Sequence, residues 1–97
     1  MGISVFTEDQ IHQREYAGPE LSSATERIFD AATEGTFLSG IHLHADTMFN
    51  TWQLTCILEE LDSIALRRPE ISTDIANVKS LIETIIRKRG YLWISGD

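Results

Sequence analysis

Residues 47–90 read TMFNTWQLTCILEELDSIALRRPEISTDIANVKSLIETIIRKRG, and the fold turns on this stretch. Leu54, Ile57, Leu58, Leu61, Ile64 and Ala65 recur at helical steps and predict one apolar stripe along a helix over about 47–67. Ile71, Ile75, Val78, Ile82 and Ile85, flanked by Leu81 and Ile86, repeat the pattern and predict a second helix over about 70–89. Pro69 breaks the first helix and suits the opening of the second, which Gly90 closes. A link as short as Arg68 and Pro69 forces an antiparallel helical hairpin whose stripes face each other. Met48, Phe49, Trp52 and Cys56 fall on the opposite side of the first helix, in its N-terminal half alone. That half is apolar almost all round and needs cover on both sides.

Outward from the hairpin, the signals remain helical. Thr7 followed by Gln10 has the spacing of a capping box, and Phe6 with Ile11 that of a hydrophobic staple. Glu8 and Asp9 suit the positive end of a helix dipole, so a short helix is expected over about 8–16. Pro19 opens a second helix, expected over about 19–34, with Leu21, Ala24, Ile28, Ala31 and Ala32 on a narrow face and Gly35 as its stop. The run Ile41-His42-Leu43-His44-Ala45-Asp46 alternates with the period of a strand, and Asp46 or Thr47 is placed to cap the long helix. Tyr91-Leu92-Trp93-Ile94 forms an extended C-terminal tail too apolar to lie in water. The expected fold is all-α: a single helical domain over 1–97, the long hairpin joined by two shorter N-terminal helices and a docked tail.

Length and charge narrow the function. Ninety-seven residues exclude barrels, complete dinucleotide-binding folds and kinases. A folded chain of this mass should expose roughly 5,600 Å², and 42% apolar content can fill its core. The net charge of -7 is uneven. Residues 1–66 hold eleven acidic residues against Arg14 and Arg27 alone, whereas residues 67–97 carry a small positive excess. An acidic body repels phosphate backbones and argues against direct nucleic-acid binding. One cysteine, no membrane-length apolar run and no signal-peptide pattern point to the cytoplasm.

The candidate chemistry is thin. His42, His44 and Asp46 offer part of a metal shell, with His12, Cys56 and Glu59 as loose additions, but no further strong ligand completes it. The alternative is two histidines at a loop edge and a capping aspartate. Cys56 lacks a neighbouring base and reads as a small hydrophobe. Glu59, Glu60 and Asp62 read as solvated surface. Residues 67–68 and 87–89 are basic where helices end and the dipole favours cations. No catalytic residue and no cofactor is assigned.

The leading expectation is a non-catalytic regulator that binds and sequesters a protein partner, a basic toxin or a transcription regulator, by steric occlusion. Immunity proteins, antitoxins and anti-activators share this profile as a class, a resemblance of composition alone. The expected binding residues are Met48, Phe49, Trp52 and Cys56 on the helix face and Tyr91, Leu92, Trp93 and Ile94 in the tail, since aromatic residues and Met favour interface centres. Cover of that face by the N-terminal helices stands against this reading. A homodimer is the simplest assembly. A metal-binding protein or small enzyme built on His42, His44 and Asp46, and a structural subunit of a larger helical assembly, are the alternatives.

Overall fold

The computed structural model describes residues 2–42 and 44–96 and overturns the all-α expectation. Strands β1 (Ile3–Glu8) and β2 (Arg14–Tyr16) precede helix α1 (Pro19–Asp30); β3 (Asp46–Phe49) precedes α2 (Thr51–Arg67) and α3 (Ser72–Arg87); β4 (Tyr91–Gly96) follows. The strands form one antiparallel sheet in the order β2-β1-β4-β3. The helices cover one face of that sheet.

The sheet is built from both ends of the chain. β1 pairs with β4 along its whole length, Ile3 opposite Gly96 and Glu8 opposite Tyr91. Ile3 and Val5 meet the helices beside Leu92 and Ile94. The first of the expected N-terminal helices is therefore absent. Its capping box loses because β1 alternates Ile and Val toward a core that a lone helix over 8–16 could not reach. Residues 9–13 form the turn of a hairpin instead. Asp9 Oδ1 accepts the N–H groups of Ile11 and Gln13 at 3.0 and 2.9 Å, and His12 sits in the left-handed region at φ 63°. Asp9 thus acts as a turn residue.

β2 is too short to cover the N-terminal half of β1, and α1 completes the edge. The Val5 N–H donates to Ser22 Oγ at 3.0 Å, and the Ile3 N–H to Glu26 Oε2 at 3.2 Å. The Val5 carbonyl accepts from Ala17 N–H at 2.8 Å. Ser22 is buried for this reason. Helix α1 opens on Pro19 as expected and ends at Asp30, short of Gly35.

The helical hairpin of α2 and α3 is present, with Pro69–Ile71 as a single tight turn between them. Leu54, Ile57, Leu61 and Ile64 of α2 and Ile75, Val78, Ile82 and Ile85 of α3 are buried in one core. The start of α2 corrects the expected boundary. Met48 and Phe49 belong to β3, and Asn50 caps the helix: its Oδ1 accepts the Gln53 N–H while Gln53 Oε1 accepts the Asn50 N–H, both at 2.9 Å. Neither Asp46 nor Thr47 caps it. The alternating stretch before β3 is irregular at its described residues, and Leu43 lies outside them.

The end of α3 also differs in detail. Arg89 takes the left-handed position at φ 55°. Its N–H bonds the Ile86 carbonyl and the Gly90 N–H bonds the Ile85 carbonyl, both at 3.0 Å, the two bonds of a Schellman motif. Gly90 is needed for another reason: β1 passes so close that a Cβ would collide with the Glu8 carbonyl oxygen. The tail then enters the sheet as β4. The folded chain exposes 5676 Å², close to the area expected from its mass.

Candidate functional site

The face of the sheet away from the helices carries a row of large side chains. Tyr16 stands opposite Phe6, Phe6 opposite Trp93 and Trp93 opposite Met48. Each comes from a different strand, so the row crosses all four, roughly 14 Å at ordinary strand spacing. The Phe6 and Tyr16 ring centroids are 5.4 Å apart. Tyr16 and Met48, at the two ends, are 49% and 42% exposed, and Phe6 and Trp93 between them are half-buried. Among the described residues, no helix packs on this face.

One level along the sheet lies a polar cluster. The Glu8 carboxylate is buried and accepts Arg14 Nε–H at 2.9 Å and His12 Nδ1–H at 3.0 Å. The Arg14 guanidinium lies 3.9 Å from the Trp93 ring centroid, in cation–π range. His12 stacks on Tyr91 with centroids 6.1 Å apart. The hydrogen bond from His12 is the largest of the effects holding the Glu8 carboxyl below its ordinary range, aided by Arg14 and Trp93 and opposed by burial. The buried Trp93 Nε1–H completes no hydrogen bond in distance and angle, and its proximity to Glu8 still favours the charged form. Arg14 is thus committed to Glu8 and Trp93.

A second apolar area adjoins the row at its Met48 end. Trp52, on the first turn of α2, is 68% exposed. It meets Phe37 edge-on at 5.9 Å, and Phe37 meets Phe49 at 6.4 Å. Phe37 is placed by Glu60, whose two carboxylate oxygens accept the Phe37 and Leu38 N–H groups at 2.9 and 3.0 Å. Glu60 is an anchor for the 33–40 loop and not free surface.

The expected binding residues therefore divide. Met48, Trp52, Tyr91 and Trp93 reach or approach the surface, and Cys56 is half-buried one turn above Trp52. Phe49, Leu92 and Ile94 are core residues under the helices. Phe6, Tyr16, Arg14 and Glu8 belong to the open face and were not expected there. The period-two pattern of residues 3–8, Ile and Val against Phe and Glu, carries that signal. His42 and His44 lie in the loop before β3, where the His44 N–H bonds His42 Nδ1 at 3.2 Å. Among the described residues, no three His, Cys, Asp or Glu side chains come together to hold a metal ion. A groove of about 470 Å³ between α1 and α3 contains none of the candidate residues and is flanked by the Arg27–Asp74 ion pair. Among the described residues, no helix is long and apolar enough to cross a membrane.

Comparison of the chain with protein-family models, curated proteins and solved structures finds no match.

Proposed function

We propose that the chain is a non-catalytic binding protein that acts by covering a surface of a protein partner. The contact surface assigned to it is the open sheet face together with its margin at β3. The observation that carries this reading is the row Tyr16, Phe6, Trp93 and Met48, in register across four strands on a face that no helix covers among the described residues. A contiguous apolar surface of this kind is ordinarily covered by another protein. Its aromatic and Met content suits the centre of an interface. The net charge of -7 favours encounter with a basic partner. Occlusion of a surface the partner needs would then suffice for regulation.

Photoreactive residues placed singly at positions 16, 48 and 66, in the native host, test the proposal. Leu66 is 87% exposed at the far end of α2 and serves as the control. Positions 16 and 48 are expected to cross-link one and the same protein that position 66 does not. Cross-links to a second copy of the chain alone, or identical products from all three positions, would reject it.

A further inference from the structure

We infer that the free edge of β3 is a strand-addition site for an extended, basic segment of the partner. This rests on the reading of the chain as a protein-binding module and names the chemistry that is bound.

The hydrogen-bonding parity of the sheet identifies the groups on offer. Val5 directs its N–H and carbonyl to Ser22 and Ala17, away from β4. Ile94, opposite Val5, therefore bonds toward β3, where it faces Thr47. The Ala45 carbonyl accepts the Gly96 N–H at 3.0 Å, which fits the same parity. Thr47 and Phe49 then bond inward to β4, and Asp46 and Met48 direct N–H and carbonyl groups outward. β3 is last in the sheet order, and among the described residues no strand but β4 pairs with it. The outward groups recognise extended backbone and nothing about its sequence.

The side chains on either side of this edge supply the selectivity. Met48 flanks it on the open face and Trp52 on the helix side, both exposed. An added strand would cover part of each. The sequence around the edge is acidic. Between Arg27 and Arg67 the chain has no Lys or Arg and six acidic residues. Of these, Asp62 is paired with Lys79 and Glu60 holds the Phe37 and Leu38 N–H groups, which leaves Asp46 and Glu59 for a partner at this edge. Asp46 lies on the edge strand itself, and Glu59 follows Trp52 by seven residues on the same stripe of α2. The basic run at 87–89 stands between the β1–β2 turn, where Gln10 donates to the Lys88 carbonyl, and the start of α2, where the Thr51 hydroxyl donates to the Gly90 carbonyl at 3.4 Å. Asp46 lies at the other end of β3. A second copy of this acidic margin would be repelled, and a segment with Lys or Arg between apolar residues would be drawn in. The opposite edge is different: β2 is three residues long with Arg14 and Glu15 on it, the charged and shortened form that discourages pairing.

Selection of a random displayed-peptide library against the full chain tests the site. Wild type, Met48→Ala and Met48→Pro are then compared for binding of the enriched peptides by fluorescence anisotropy. Proline is expected to be tolerated at this edge position because, by the parity of the sheet, the N–H it removes points away from β4 and bonds no described residue, and a thermal melt checks that the variant is folded. The expected result is enrichment of segments alternating apolar residues with Lys or Arg. Their affinity should fall only a few-fold in Met48→Ala and about tenfold or more in Met48→Pro. In the wild type, peptide should slow hydrogen exchange at the Asp46 and Met48 amides, a readout independent of the variants. Equal binding by Met48→Ala and Met48→Pro, acidic or patternless peptides, unchanged exchange at those amides, or no enrichment each overturns strand addition. The cross-linking result at positions 16 and 48 stands or falls separately.

Discussion

Gly90 and the carbonyl of Glu8 are in direct apposition where β4 begins, with no room for a Cβ between them. Gly90→Ala should therefore force β1 away from β4 at the Glu8–Tyr91 pair and destabilise the chain by about 2–3 kcal/mol. Urea denaturation gives the value. Arg89→Gly is the opposite case: it relieves a left-handed residue at φ 55° and should stabilise by about 0.5–1 kcal/mol once the entropy of glycine is set against the relief.

Ser22 accepts the N–H of Val5, and both residues are buried. Ser22→Ala leaves that N–H without a partner at a site water does not reach. The expected loss is about 1–3 kcal/mol. Ser22→Thr, which keeps the hydroxyl, should recover part of it in the same denaturation experiment.

The Glu8 carboxyl is held below its ordinary range, first by the hydrogen bond from His12. The unfolded chain therefore binds this proton more readily than the folded one. Its contribution is complete above the ordinary glutamate value of about 4.3 and is lost as pH falls through the lower folded value. Urea midpoints measured from pH 6 down to pH 3 should drop more steeply in wild type than in Glu8→Gln. The variant should be the less stable at pH 6, and the two curves should approach each other in acid.

Trp52 and Phe49 are near in sequence and opposite in role. Trp52→Ala removes an exposed ring and should change stability by less than about 1 kcal/mol, while weakening the binding of basic peptides about tenfold. Phe49→Ala empties a core position and should cost about 3–5 kcal/mol. Thermal melts beside peptide titrations separate the two effects.

The helical half of this molecule was legible because its signals are local. The stripes of α2 and α3 need only their own residues, and Pro19 marks a start that the structure retains, whereas Pro69 opens the tight turn and α3 begins three residues later at Ser72. The sheet was illegible for the converse reason. β1 owes its existence to a partner near the other end of the chain, and nothing within residues 3–16 announces it more loudly than Thr7 and Gln10 announce a helix. The spacing of Met48 and Phe49 continues the period of α2, so periodicity alone assigns them to the helix. The Asn50 and Gln53 capping pair was the signal that separates them. The candidate surface was legible in part: Met48, Trp52 and Trp93 stand out by residue type. Their division between a sheet face and a helix follows from alternation in β3 and β4, which shows itself only once those residues are strands.

The pairing of β1 with β4 also sets an order on synthesis. Residues 3–8 leave the ribosome before residues 91–96 and must wait for them before the centre of the sheet can close. Until then the apolar stripes of three finished helices have no strand bed to lie on, and β1 has only the short β2 beside it. Contacts this distant along a chain slow folding. The nascent chain thus passes through a sticky, half-assembled interval that ends only when β4 slides into place.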